Sequence, residues 1–304
     1  MWFKNIRIYQ LSQAFEFTPE SLNEALEPFS FQPCGKIDPV RHGWVPPLGR
    51  HGSELVHATN GYLMICLKRQ EKILPATVVK EHLEEKVLEI STAEGRRVSG
   101  KERETLKEEI IFSLLPKAFT KDSLDFAYID TRKNRIVTNC SSANHAEQIT
   151  SSLREALGSL PAVPLQPQQV APQLLTLWLT EGKASGRFTL GEECELQSPK
   201  DGQVIRGKNV DIASEEVINH IHSGMIAMKV ALNWNEAIDF ILDDQFAIKR
   251  LKFADEIIGQ ANDIQSETAA EDFDADFSIM TTELSAFIDE LIKAFGGLAP
   301  ATNN

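Results

Sequence analysis

Most of the short motifs that would identify an enzyme are missing from these 304 residues. There is no GxSxG nucleophile elbow and no glycine fingerprint for a dinucleotide. The four cysteines, Cys34, Cys66, Cys140 and Cys194, lie far apart and form no CxxC pair, so no redox motif is spelled out. They read as reduced, mostly buried thiols of a cytosolic protein. No run of about 18 apolar residues occurs, which excludes a membrane-spanning helix. The opening Met1-Trp2-Phe3-Lys4-Asn5 turns strand-like at once and does not read as a cleavable signal peptide. Internal repeats and low-complexity segments are absent as well.

Charge of one sign is locally missing too. From Phe253 to Ile292 there is neither Lys nor Arg, and the whole chain carries a formal charge of −13. Cations collect elsewhere. Lys68 to Arg135 hold 15 Lys and Arg against 13 Asp and Glu, which leaves 16 against 31 for the remainder. This segregation suits an acidic outer surface with a basic inner one. The alternative is a solvated arm whose mixed charges carry no function. With 42% hydrophobic and 25% charged residues the composition is that of a globular chain, long enough for two or three domains.

The sequence is organised around the helical stretch Ala76–Lys121. Val79, Leu83, Val87 and Ile90 form one apolar stripe. A second helix opens at Ser99, with Glu102 at the capping-box spacing, and runs through Leu106, Ile110, Ile111, Leu114 and Leu115 to Pro116. Two antiparallel helices joined by 92–100 are expected. The joining region carries Arg96, Arg97, Lys101 and Arg103, and Phe119 follows between Lys117 and Lys121. So small a pair buries little by itself and should lean on the body or on another chain.

Before this arm the sequence predicts a strand over Trp2–Leu11 and a helix capped by Thr18 through Leu26. A rigid loop follows at Gly43-Trp44-Val45-Pro46-Pro47-Leu48-Gly49, then a hairpin turning at Asn60-Gly61. After the arm come a hairpin around Asn134 and an amphipathic helix over Ala143–Leu157. The proline-rich 158–172 is the best boundary. Beyond it, strands are expected over Gly186–Leu196, Val204–Val210, Met225–Trp234, Ala237–Leu242 and Phe246–Phe253, with a short helix at Ser214–His222. Helices at Asp255–Gln265 and about Phe277–Phe295 finish the fold, and Ala301–Asn304 should be disordered. The fold class is therefore α+β: a strand-rich central domain (1–75 plus 118–165), an inserted helical tip arm (76–117) and an α+β base domain (166–304).

Gly202–Asn209 nearly fits GxxxxGK[ST], but Val204 and Ile205 favour strand and Asn209 stands where a magnesium-binding hydroxyl is required. His51, Glu54 and His57 do not have HExxH spacing, and Cys140 with His145 lacks an evident third partner. The acid-rich Glu267–Asp276 lacks the glycine and spacing of a calcium loop. No enzyme, metal or cofactor is expected. What remains is a set of cations beyond the boundary: Lys183, Arg187, Arg206, Lys208, Lys229, Lys249, Arg250 and Lys252. Arg206 with Lys208, and Arg250 with Lys252, repeat at two residues and so share a sheet face. Lys229 sits between Ala227 and Ala231, a thin face open to a bulky partner. Such residues suit phosphate-backbone contact. Neither an aromatic stacking platform nor a recognition helix is apparent, so duplex backbone fits better than single strands.

Several longer strings carry a resemblance: Trp2-Phe3-Lys4-Asn5, Phe31-Gln32-Pro33-Cys34-Gly35, Gly43-Trp44-Val45-Pro46-Pro47 and Glu71-Lys72-Ile73-Leu74-Pro75. Ser113-Leu114-Leu115-Pro116, Leu157-Gly158-Ser159-Leu160-Pro161, Lys249-Arg250-Leu251-Lys252-Phe253 and Phe273-Asp274-Ala275-Asp276-Phe277 extend it nearly end to end. Together they resemble the recombination-associated RdgC family of bacteria. The resemblance implies a ring-shaped homodimer closed at tip and base around double-stranded DNA, sequence-independent binding, restraint of the RecA recombinase, and a cytoplasmic, nucleoid-associated setting. It also implies that Phe119 makes the tip contact and that Lys208 faces the hole. Arg206, Lys229, Lys183, Arg187, Lys249, Arg250, Arg96, Arg97 and Lys101 are the further DNA contacts expected. The alternative is an acidic dimeric scaffold that binds the recombinase directly and touches DNA weakly.

Overall fold

The computed structural model describes residues 1–264 and 267–300. Seven strands build a first sheet: β1 (Arg7–Leu11), β2 (Val40–Val45), β3 (Val56–Thr59), β4 (Tyr62–Lys72), β5 (Thr120–Asp130), β6 (Arg135–Thr138) and β7 (Ala162–Pro164). Their order is β2-β4-β5-β6-β1-β7, with β3 also on β4, and every pairing is antiparallel. A second antiparallel sheet has the order β12-β11-β10-β8-β9, from β8 (Phe188–Gln197), β9 (Val204–Lys208), β10 (Ile226–Trp234), β11 (Ile238–Asp243) and β12 (Ile248–Phe253). Eight α-helices complete the described residues: α1 (Pro19–Leu26), α2 (Ala76–Glu94), α3 (Gly100–Leu114), α4 (Ala143–Leu157), α5 (Ala171–Glu181), α6 (Glu215–His222), α7 (Asp255–Asn262) and α8 (Ala269–Ala294). The fold is α+β, as expected. Gln265, the expected end of the helix at 255, and the expected disorder of Ala301–Asn304 lie outside the described residues.

Local chemistry accounts for most element boundaries. Thr18 caps α1 through a reciprocal box with Ser21, and Ser99 caps α3 with Glu102. Asn60 (φ 50°) and Gly61 (φ 76°) supply the left-handed pair that turns β3 into β4. Thr268 with Glu271 makes a third box, so α8 begins well before Phe277. The proline-rich segment contains β7, which pairs with β1, while Gln168 and Gln169 donate backbone bonds to Gly297 and Phe295 beyond α8.

Six consecutive residues of β4, Tyr62 to Leu67, are buried, because the first sheet is covered on both faces. Leu63, Ile65 and Leu67 pack with Leu22 and Leu26 of α1 and with Ile149 and Leu153 of α4. Tyr62 and Met64 join the larger core that also holds α8 and the second sheet. On α8, Phe277 meets the rings of Tyr62 and Tyr128 of the first sheet, and Phe287 meets Phe188, Trp234 and Phe240 of the second. Polar contacts follow the same line. His57 Nε2 lies 2.9 Å from Asp274, Arg135 Nη1 donates to Asp289 at 2.6 Å, and Trp234 Nε1 donates to Glu290 at 2.8 Å. One helix thus ties both sheets together.

β4 and β5 are paired over eleven residues each and carry α2 and α3 at one end. Val79 and Leu83 are buried in the arm, whereas Phe112 and Phe119 are exposed, Phe119 to 84%. Phe119 lies at the arm's root, where its carbonyl accepts the Ile73 N–H at 2.7 Å. The loop with Arg96 and Arg97 lies at the opposite end of the helix pair.

Candidate nucleic-acid interface

One face of the second sheet looks into the core through Phe188, Cys194, Leu196, Ala227, Val230, Leu232, Phe240 and Leu242. The other faces outward and collects cations. β9 is an edge strand on which Val204, Arg206 and Lys208 are exposed and the residues between are not, the period-two alternation expected from the sequence. The register places Arg206 opposite Glu195 and Lys208 opposite Glu193 of β8, and Lys229 of β10 opposite Glu195 from the other side. Lys249, Arg250 and Lys252 stand on β12, at the far edge of the same sheet.

Carboxylates that the sequence reasoning did not single out occupy this face. Glu195 accepts from Arg206 Nε at 2.6 Å and from Lys229 Nζ at 2.7 Å. Glu193 accepts both Nη1 and Nη2 of Arg250, at 2.8 and 2.7 Å, across the two intervening strands β10 and β11. Lys249 Nζ lies 2.7 Å from Asp243, a buried carboxylate that also caps the β11–β12 turn through the N–H groups of Gln245 and Ala247. Hydrogen bonding from Arg250 holds the Glu193 carboxyl below the usual range. Burial pushes Glu195 upward, but Lys229 and Arg206 outweigh it and leave that carboxyl lowered as well. Among the described residues, Lys208 and Lys252 make no direct ion pair.

Five of the expected contacts therefore share one face: Arg206, Lys208, Lys229, Lys249 and Arg250. The other five stand elsewhere. Lys183 is in the turn after α5, a helix packed on the inner side of the sheet. Arg187 is turned to that side too, paired with Glu290 of α8 and 5.4 Å from the Trp234 ring centroid. Arg96, Arg97 and Lys101 lie at the distal end of the arm, where Arg96 is engaged by Glu94 and by both oxygens of Glu102. The thin face expected around Lys229 differs in one detail. A bulge between Ala227 and Lys229 turns Ala227 into the core, so the shallow spot is formed by Ala231 with Gly191 of β8. A Cβ on Gly191 would come within 3.0 Å of the Ala231 Cβ.

The remaining sequence candidates form no site. Asn209 takes φ 54° after β9, and the next helix begins at Glu215, so no phosphate loop leads into a helix. Asp125 lies between Cys140 Sγ at 3.9 Å and His145 Nδ1 at 3.4 Å. Burial, with Asp125 adding to it, pushes the Cys140 thiol up to about 12, which keeps it protonated rather than nucleophilic. Among the described residues, no three His, Cys, Asp or Glu side chains group as a metal site, and no helix is long and apolar enough to cross a membrane.

Comparison with known proteins agrees with the resemblance read from the sequence. The profile of the family described as "Putative exonuclease, RdgC" matches residues 1–298. The recombination-associated protein RdgC of Aeromonas hydrophila is 44% identical over 298 residues, spanning 98% of each chain. Its counterparts in Tolumonas auensis and Salmonella paratyphi B are each 42% identical, over 298 and 300 residues, covering 98% of this chain and 99% of theirs. These relatives are named for recombination, and their names indicate no catalytic activity. With a match of this extent at both levels, the chain belongs to the RdgC family.

Proposed function

We propose that this protein binds double-stranded DNA without regard to sequence, as a ring-shaped homodimer closed at the arm and at the base. The central, arm and base units are 1–75 with 118–165, 76–117 and 166–304. By occupying duplex in the nucleoid it restrains RecA-dependent recombination. The observation that carries the reading is the outward face of the second sheet, where Arg206, Lys208, Lys229 and Arg250 are gathered in a chain of net charge −13. Such charge with no base-reading helix recognises backbone rather than sequence.

Lys208 gives the direct test. It is exposed and free of a direct ion pair among the described residues, so its removal should cost the fold little. If it meets one phosphate, Lys208→Ala should weaken binding roughly tenfold at about 0.1 M salt and reduce the magnitude of the log–log salt slope by about 1. Arg206→Ala should do less, because Arg206 already shares Glu195 with Lys229. Gel shifts on unrelated duplexes across a salt series measure both. Unequal effects among sequences would mean base readout and defeat the proposal.

Phe119 supplies the arm contact in this reading, and its ring, 84% exposed in the protomer, is free to make it. Phe119→Ser should cost the contact about 2–3 kcal/mol while the protomer melts as before. Sedimentation together with crosslinking across the arms distinguishes this. Crosslinking at wild-type efficiency in the mutant would place the contact elsewhere.

Two other readings each have one observation behind them. An acidic scaffold that grips the recombinase is favoured by the net charge, and it predicts that Lys208→Ala leaves DNA binding untouched. Exonuclease activity is favoured by the family's description, and it predicts shortening of linear duplex in the presence of a divalent metal.

A further inference from the structure

The carboxylates on the cationic face have no counterpart in the function proposed above, and they are not placed at random. β8 runs through the middle of that face and carries Glu193 and Glu195 two residues apart, on the same side as Arg206 and Lys208 of β9 and Lys229 of β10. Glu195 takes two cations at once. Glu193 takes both nitrogens of a guanidinium that has to cross two strands to arrive. Ile241, on the outward side of β11 between those partners, is only 7% exposed. Bidentate engagement of this kind is the geometry by which a guanidinium receives a phosphate.

Resting on the reading of this face as the DNA surface, we infer that Glu193 and Glu195 are internal stand-ins for phosphate, which hold Arg250, Arg206 and Lys229 in place and set how tightly duplex is bound. A phosphate gains Arg250, Arg206 or Lys229 only by displacing a carboxylate, and the displaced carboxylate stays nearby and repels it. A cation already neutralised by a carboxylate releases little counterion when it changes partner. The protein should therefore show a weaker affinity and a shallower salt dependence than its number of facing cations implies. Both carboxyls are held below their usual range, so they remain charged throughout the neutral region and the exchange answers to salt rather than to pH.

The test compares Glu193→Gln, Glu195→Gln and the double variant with the wild type on one random-sequence duplex across a salt series. Melting curves establish that each variant folds, and Glu195→Asp serves as the charge-preserving control. Each Gln variant should bind roughly tenfold more tightly at about 0.1 M salt and steepen the slope by up to about 1 per cation freed to meet a phosphate. Glu195→Asp should stay near the wild type. Two results overturn the inference, and they differ. If the folded Gln variants bind no more tightly while Lys208→Ala still weakens binding, the face is the DNA surface and its glutamates are merely structural. If Lys208→Ala is also without effect, the face does not contact DNA, and the proposed function falls with the inference. Should Glu195→Gln fail to fold, Glu193→Gln decides alone, because Glu193 pairs with an exposed arginine at the sheet edge.

Discussion

A dimer locked shut on closed circular duplex should stay there at about 1 M salt, where the Debye length is roughly 3 Å and phosphate contacts are screened away. The expectation rests on the ring-shaped dimer proposed above and on charge. Two protomers at −13 each present duplex with a surface that mostly repels it, so binding needs the cations gathered where DNA is surrounded and the acids turned outward. An open cleft holds DNA through counterion release alone and lets go as salt rises. A closed ring adds topology, which salt does not weaken. Cysteine pairs placed across both interfaces and oxidised after loading make the distinction. The locked complex should resist high salt on circles and fall apart once the circle is cut. Release from intact circles at the rate of the reduced protein would mean that DNA does not thread the dimer.

Among the Gly→Ala changes, Gly43→Ala is expected to meet the severest clash. An ideal Cβ at Gly43 would stand 2.3 Å from the Phe31 Cα and 2.6 Å from its nitrogen, and both are backbone atoms that no rotamer change can move. The close approach exists because the 30–31 segment runs parallel against β2 there, with Phe31 donating its N–H to the Trp44 carbonyl at 2.9 Å. Separating the two chains breaks that bond and disturbs Trp44, which is 1% exposed in the core beneath α1 and α4. A cost of about 3 kcal/mol is in order for forced overpacking with a lost backbone bond. For a chain of this size that corresponds to a fall in melting temperature of roughly 5 °C. Gly100→Ala is the control, since nothing lies within 4 Å of its Cβ and it opens α3. Equal melting of the two variants would remove the steric argument.

The contrast between these residues shows how much of the molecule was legible beforehand. Hairpins at Asn60-Gly61 and around Asn134, the caps at Thr18 and Ser99, and the helix over 143–157 are written in local chemistry, and the structure has them where they were expected. The start of α8 was missed although Thr268 and Glu271 carry the same signature as Ser99 and Glu102, because Asp272, Asp274 and Asp276 look like loop until Phe273 and Phe277 find partners. β7 has three residues and a single partner, the N-terminal strand β1, and nothing nearby in sequence announces a strand. Gly43 could be read as part of a rigid loop, but not as the point where another segment passes.

The face of the second sheet repeats that division. Period two along β9 put Arg206 and Lys208 on one side without help from the fold. The same period put Glu193 and Glu195 on one side of β8, and this was equally available. What no single strand discloses is register, and register alone places those acids against those bases. Lys183 and Arg187 were grouped with the others on charge, and the packing of α5 and α8 turns them to the inner side.

The long helix α8 also sets a timetable. One face of the first sheet is closed by residues between Tyr9 and Leu160, so it can form as soon as that much chain has left the ribosome. The other face, with Phe3, Ile8, Tyr62, Met64, Tyr128 and Val137, waits for α8 and for Phe277 in particular. At bacterial rates of synthesis the wait is on the order of ten seconds. During that interval each nascent chain displays a half-covered sheet whose aromatic side suits a chaperone or the matching side of another unfinished copy. The feature that unites the finished protein is therefore also the one that leaves its first half vulnerable while it is being made.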